Sequence, residues 1–71
     1  MIELTTKQRC VLEAIKIFIS LNGFPPTSNE LTAILDYSSN NSVVGLLSVI
    51  ERKGYIKRTP KISRSIVVLE E

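Results

Sequence analysis

From Ser39 to Ser42 the chain reads Ser-Asn-Asn-Ser, and from Arg52 to Arg64 it places six basic residues with no acidic one among them. Neither group suits bond-making chemistry. Amides and hydroxyls at the start of a helix can hydrogen-bond base edges, and an Asn can pair bidentately with adenine N6 and N7. Clustered Arg and Lys suit a polyanion. The chain has no His and a single cysteine, Cys10. A metal site, an intrachain disulfide framework and a His-based catalytic group are therefore not expected. No paired nucleophile and base and no glycine-rich phosphate loop is visible. The expected protein is no enzyme, takes no cofactor and has no small-molecule substrate.

Charge sharpens this. The net value is only +2, yet Arg52, Lys53, Lys57, Arg58, Lys61 and Arg64 carry +6 while the remainder carries −4. A cationic segment on an acidic body is a polyanion footprint, unless it is simply a solvated, charged hairpin. At 71 residues and 44% hydrophobic, the chain is expected to fold as one domain, residues 1–71. No apolar run is long enough for a membrane span or a signal peptide. The lone cysteine suits a reducing, cytoplasmic compartment.

The elements that must position these groups are legible in outline. Thr5 caps a first helix from about Thr6 to Leu21, with Gln8 completing a capping box. Gln8, Val11, Leu12, Ile15, Phe18 and Ile19 share one face, and Gly23 supplies a left-handed stop. Pro25 and Pro26 keep that helix from running on. Thr27 and Glu30 form a second capping box for a short helix from Ser28 to about Leu35, with Leu31, Ile34 and Leu35 inward. A few turn residues later Ser38 and Ser39 open a third helix, from about Asn40 to Lys53, with Val43, Leu47 and Ile50 inward and Gly54 as its stop. So short a turn suits a helix-turn-helix. Tyr55 to Arg58 and Ser65 to Leu69 read as strands, and Pro60 interrupts any ladder between them. The expected fold is mainly α with a small antiparallel β-hairpin, a three-helix winged helix-turn-helix.

The runs Leu-Thr-Thr-Lys-Gln-Arg (4–9), Asn-Gly-Phe-Pro-Pro-Thr (22–27), Glu-Arg-Lys-Gly-Tyr-Ile (51–56) and Ser-Arg-Ser-Ile (63–66) together resemble the DNA-binding domain of the LexA repressor family. The likeness covers nearly the whole chain. It implies a third helix entering the major groove and a wing on the backbone, in a small bacterial or phage transcriptional regulator binding double-stranded DNA. Carried over by position, Ser39, Asn41, Ser42, Val44 and Gly45 stand where the family reads bases. Val44 and Gly45 lack the polar side chains common there, so the family's operator does not carry over with the resemblance. The family's Ser-Lys peptidase domain, which also dimerises, has no counterpart in these residues, and autocleavage is not expected of them.

Each candidate has a bland alternative. Asn41 is a base reader or an ordinary solvated residue in a first helical turn. Ser39 is an N-cap, with or without a phosphate contact. Val44 meets a thymine methyl or is a scattered surface valine. Gly45, costing up to about 1 kcal/mol in a helix interior, permits close approach to a duplex or is a tolerated defect. Backbone contacts are assigned to Ser28, Asn40, Ser48, Arg52, Lys53, Lys57, Arg58, Lys61, Ser63 and Arg64, unless a wing Arg enters a narrow minor groove instead. Phe18, Phe24, Tyr37 and Tyr55 are expected in packing. Cys10, Ala14, Ile17 and Leu21 form a second apolar stripe. The hairpin or the N-terminal residues cover it, or it is exposed and serves a homodimer or another partner. The competing function is a winged-helix interaction module with weak or no DNA binding.

Overall fold

In the computed structural model, residues 3–59, 61–62 and 64–69 are described. The expected break at Pro60 and the expected contact at Ser63 lie outside them. Helix α1 spans Thr6–Asn22, α2 Ser28–Ile34 and α3 Asn40–Arg52, followed by strands β1, Ile56–Lys57, and β2, Val67–Val68.

The helix starts follow from local chemistry. Thr5 Oγ1 accepts from the Gln8 amide at 3.2 Å while the Thr5 amide donates to Gln8 Oε1 at 3.0 Å. Thr27 and Glu30 repeat the arrangement at 3.1 and 2.9 Å. Each box satisfies two amides that a helix start leaves without partners. Ser39 caps α3 by accepting from the Asn41 amide. Gly23 and Gly54, at φ of 80° and 90°, supply the left-handed stops after α1 and α3. Asp36 turns the chain at φ 58° between α2 and α3, and short polar residues tolerate that region best after glycine.

Helix α3 is the centre of the packing, touching α1, α2 and β1. Val11, Leu12 and Ile15 from α1, Leu31 from α2, and Val43, Leu47 and Ile50 from α3 are almost wholly buried together. Burying each such side chain contributes about 1.5–3 kcal/mol. Leu4, Tyr55, Ile56 and Ile66 close the same core. The strands pair antiparallel, Ile56 with Val68 and Lys57 with Val67. Ile56 and Val68 face the core while Lys57 and Val67 face outward, so the two-residue period decides the hairpin's inner side.

Three expectations need correction. Ile34 is 53% exposed rather than inward, because the seven-residue α2 has one fully buried anchor, Leu31, and Leu35 lies beyond its end. The strands are two residues each, shorter than expected. In the α1 stripe, Ala14 packs against the core while Cys10, Ile17 and Leu21 are exposed, so most of the stripe is uncovered.

Candidate nucleic-acid interface

The outer face of α3 starts at its capped end. Asn40 is tied back to α2, its side chain 3.1 Å from Thr32 Oγ1, which itself donates to the Ser28 carbonyl. That link holds the α2–α3 turn and leaves the next residues to point away. Asn41, Ser42 and Gly45 are exposed; Val44 is half-buried, less outward than its helical position suggests. A Cβ built on Gly45 meets nothing within 4 Å. Nothing inside the molecule therefore requires glycine there.

The cationic segment divides in two. Lys53 Nζ donates to the Glu3 carbonyl at 2.9 Å and to Gln8 Oε1 at 2.8 Å, lashing the end of α3 to the start of α1. Arg58 folds onto α3: its amide donates to Glu51 Oε2, its Nε to Glu51 Oε1 and its Nη2 to Ser48 Oγ, each at 3.1 Å. The Glu51 carboxyl is held below its ordinary range, first by the Arg58 amide and then by the guanidinium. Arg64 reaches α2, where Nη1 and Nη2 each lie 2.8 Å from a different oxygen of Glu30. Its Nη1 also donates to the Pro25 carbonyl at 3.2 Å, and its guanidinium lies 4.8 Å from the centroid of the Phe24 ring. Arg64 is the first cause of the lowered Glu30 pKa, ahead of the Thr27 amide.

Arg52, Lys57 and Lys61 are exposed and make no ion pair among the described residues. These three remain for an external anion. Of the other expected backbone contacts, Ser48 accepts from Arg58, and Ser28 lines an open cleft of about 620 Å³ between the α2 start, α3 and the hairpin. The engagements of Lys53, Arg58 and Arg64 have no pattern in the sequence. Glu51 lies seven residues from Arg58, and Glu30 thirty-four from Arg64. Glu30 already has a role in its capping box, which hides its second one.

A family model for the LexA DNA binding domain matches residues 1–65. This chain belongs to the LexA DNA-binding domain family. It is 39% identical over 66 residues to LexA repressor 2 of Nocardia farcinica, covering 93% of this chain and 27% of that relative. It is 38% identical over 69 residues to the LexA repressors of Bacillus thuringiensis and Bacillus anthracis, covering 97% of this chain and 34% of each relative. The chain thus spans about a third or less of those repressors' length. A LexA-type domain is the sequence-specific DNA-binding part of a transcriptional regulator, a regulatory unit rather than a catalytic one. The helix-turn-helix and wing are the architecture that membership implies. No described helix is long and apolar enough to cross a membrane.

Proposed function

We propose that this domain reads a duplex operator by placing the N-terminal half of α3 in the major groove, where Asn41 pairs with a base edge, adenine fitting its amide best. The carrying observation is the exposed Asn41, Ser42 and Gly45 face opposite the buried Val43, Leu47 and Ile50. Open space at Gly45 supports close approach of the helix backbone to the duplex. Ser39 stands at the positive end of α3, and the half-buried Val44 meets a thymine methyl in this reading through the part of its side chain left exposed. Arg52, Lys57 and Lys61 supply phosphate contacts, which hold register without reading sequence. The repressor activity carried in the relatives' names is proposed for the protein that bears this domain.

Selection from a random duplex library, followed by salt titration on the selected site, tests the reading. Three phosphate contacts give a log–log slope of about −2.7, and six would give about −5.4. Asn41→Ala is expected to lose about 1–3 kcal/mol on the selected site and little on random duplex. No enriched motif, or equal losses on both duplexes, would overturn the assignment.

One observation supports an accompanying protein contact. Ile17 and Leu21 are 57% and 79% exposed beside the exposed Cys10. The stripe has small residues toward its start, Cys10 and Ala14, and large ones toward its end, Ile17 and Leu21. An antiparallel second copy of α1 sets each large side chain against a small one, the relation a two-fold interface produces. Homodimerisation through this stripe would let two domains engage two half-sites about one helical turn apart.

A further inference from the structure

Arg64 is the cation at the base of the wing, where a phosphate contact would be expected, yet its guanidinium is already committed. It grips both oxygens of Glu30 at 2.8 Å, bonds the Pro25 carbonyl at 3.2 Å and stacks on Phe24. Phe24 in turn meets Phe18 of α1 edge to face, with centroids 5.8 Å apart and planes at 68°. One side chain from the wing therefore touches α2 and the α1–α2 loop, and reaches α1 through Phe24. The backbone at Arg64 is held at φ 56°, the left-handed region that a non-glycine residue seldom enters. Such a conformation persists where the surroundings determine it.

We propose that Arg64 is a positioning residue for DNA binding: its fork on Glu30 fixes the wing relative to the helix-turn-helix, and it does not itself neutralise a phosphate. The proposal rests on the DNA-reading function above. Three lines converge on it. A bidentate Arg–carboxylate pair sets both direction and distance, which a lysine cannot do. The carboxylate would repel a phosphate brought to the same guanidinium. Arg58 ties the root of the wing to Glu51 and Ser48 of α3. Beyond it, and apart from Arg64, the described loop residues between Thr59 and Ser65 show only their own short-range bonds, such as Thr59 to Ser65 at 3.0 Å and Ile62 to Thr59 at 3.3 Å. The pair to α2 thus holds the far side of the loop that carries Lys61, as Arg58 holds its near side to α3.

Glu30→Gln separates clamp from cap. The α1 start shows that a glutamine at the third position completes a capping box in this chain, so the substitution keeps the cap and removes the charge. Duplex titrations over a range of salt, for wild type, Glu30→Gln, Arg64→Gln and Arg64→Lys, form the first arm. NMR order parameters of the Thr59 and Ile62 amides, without DNA, form the second. All three variants are expected to weaken binding by about two- to tenfold, the range for ordering a few side chains on binding, with the salt slope unchanged. The wing amides are expected to fall from about 0.85 towards 0.6 or below. Tighter or unchanged binding in Glu30→Gln, with a slope shallower by about 0.9 in Arg64→Gln and preserved in Arg64→Lys, would make Arg64 a phosphate ligand and overturn the proposal. Unchanged order parameters would overturn it too. If the wild type binds no duplex, the DNA-reading function fails, and the order parameters alone still decide whether the clamp holds the wing.

Discussion

Gly45→Ala puts the reading of α3 under two opposed demands. Gly45 lies inside a thirteen-residue helix, is exposed, and has nothing within 4 Å of where a Cβ would stand. In a helix interior Ala is favoured over Gly by about 0.8–1 kcal/mol, through lower backbone entropy in the unfolded chain. With no clash to offset it, that whole gain should appear in the free domain. A domain of this size shifts its melting temperature by about 4–8 °C per kcal/mol. The DNA-bound state should respond in the other direction. If the helix backbone approaches the duplex at this point, a methyl group inserted into a packed contact costs about 1–3 kcal/mol, or about 5- to 150-fold in affinity. Thermal and urea unfolding of the free domain, beside titration on the selected duplex, measures both quantities on the same two proteins. A variant that is no more stable would refute the open space around Gly45. A variant that is more stable and binds equally well would refute close approach and make the glycine a tolerated defect.

Two further outcomes are expected. Ile17→Glu alters a side chain 57% exposed, so the fold should change by no more than about 0.5 kcal/mol, while association detected by sedimentation, free or on a two-half-site duplex, should vanish; non-cooperative monomers in both proteins would remove the stripe from the account. Glu30 and Glu51 both have lowered folded-state pKa values, so their stabilisation is present above the unfolded carboxylate pKa and is lost as pH falls through the lower folded value. Glu51→Gln should accordingly lower the urea midpoint near neutral pH and approach wild type well below about pH 4, and an equal deficit at both pH values would show that Glu51 acts through packing rather than charge.

Much of the fold was legible because its signals are local. Both capping boxes pair residues three apart, and Thr5–Gln8 and Thr27–Glu30 form as their spacing requires. The α3 core face, Val43, Leu47 and Ile50, follows from helical period alone. Ile34 failed by the same logic, since a helix barely two turns long need not bury every apolar residue on one face, and its packing lies with whatever neighbour reaches it. The candidate reading face was legible as a polar opening, Ser39 to Ser42, on a helix whose other side is core. Membership in the LexA DNA-binding family was visible in four short runs and is carried by the match over residues 1–65.

What the amino-acid order determined by itself was the set of elements, where each helix begins, and which face of α1 and α3 turns inward. These depend on contacts within about one helical turn. Which cations remain for a polyanion was decided only by the tertiary structure. Six basic residues between Arg52 and Arg64 look equivalent along the chain. Folding ties Lys53 to Gln8, Arg58 to Glu51 and Arg64 to Glu30, and leaves Arg52, Lys57 and Lys61 exposed. The reason is physical: a side chain's charge is local to its residue, but its partner is whichever group the packed helices and hairpin bring within about 3 Å.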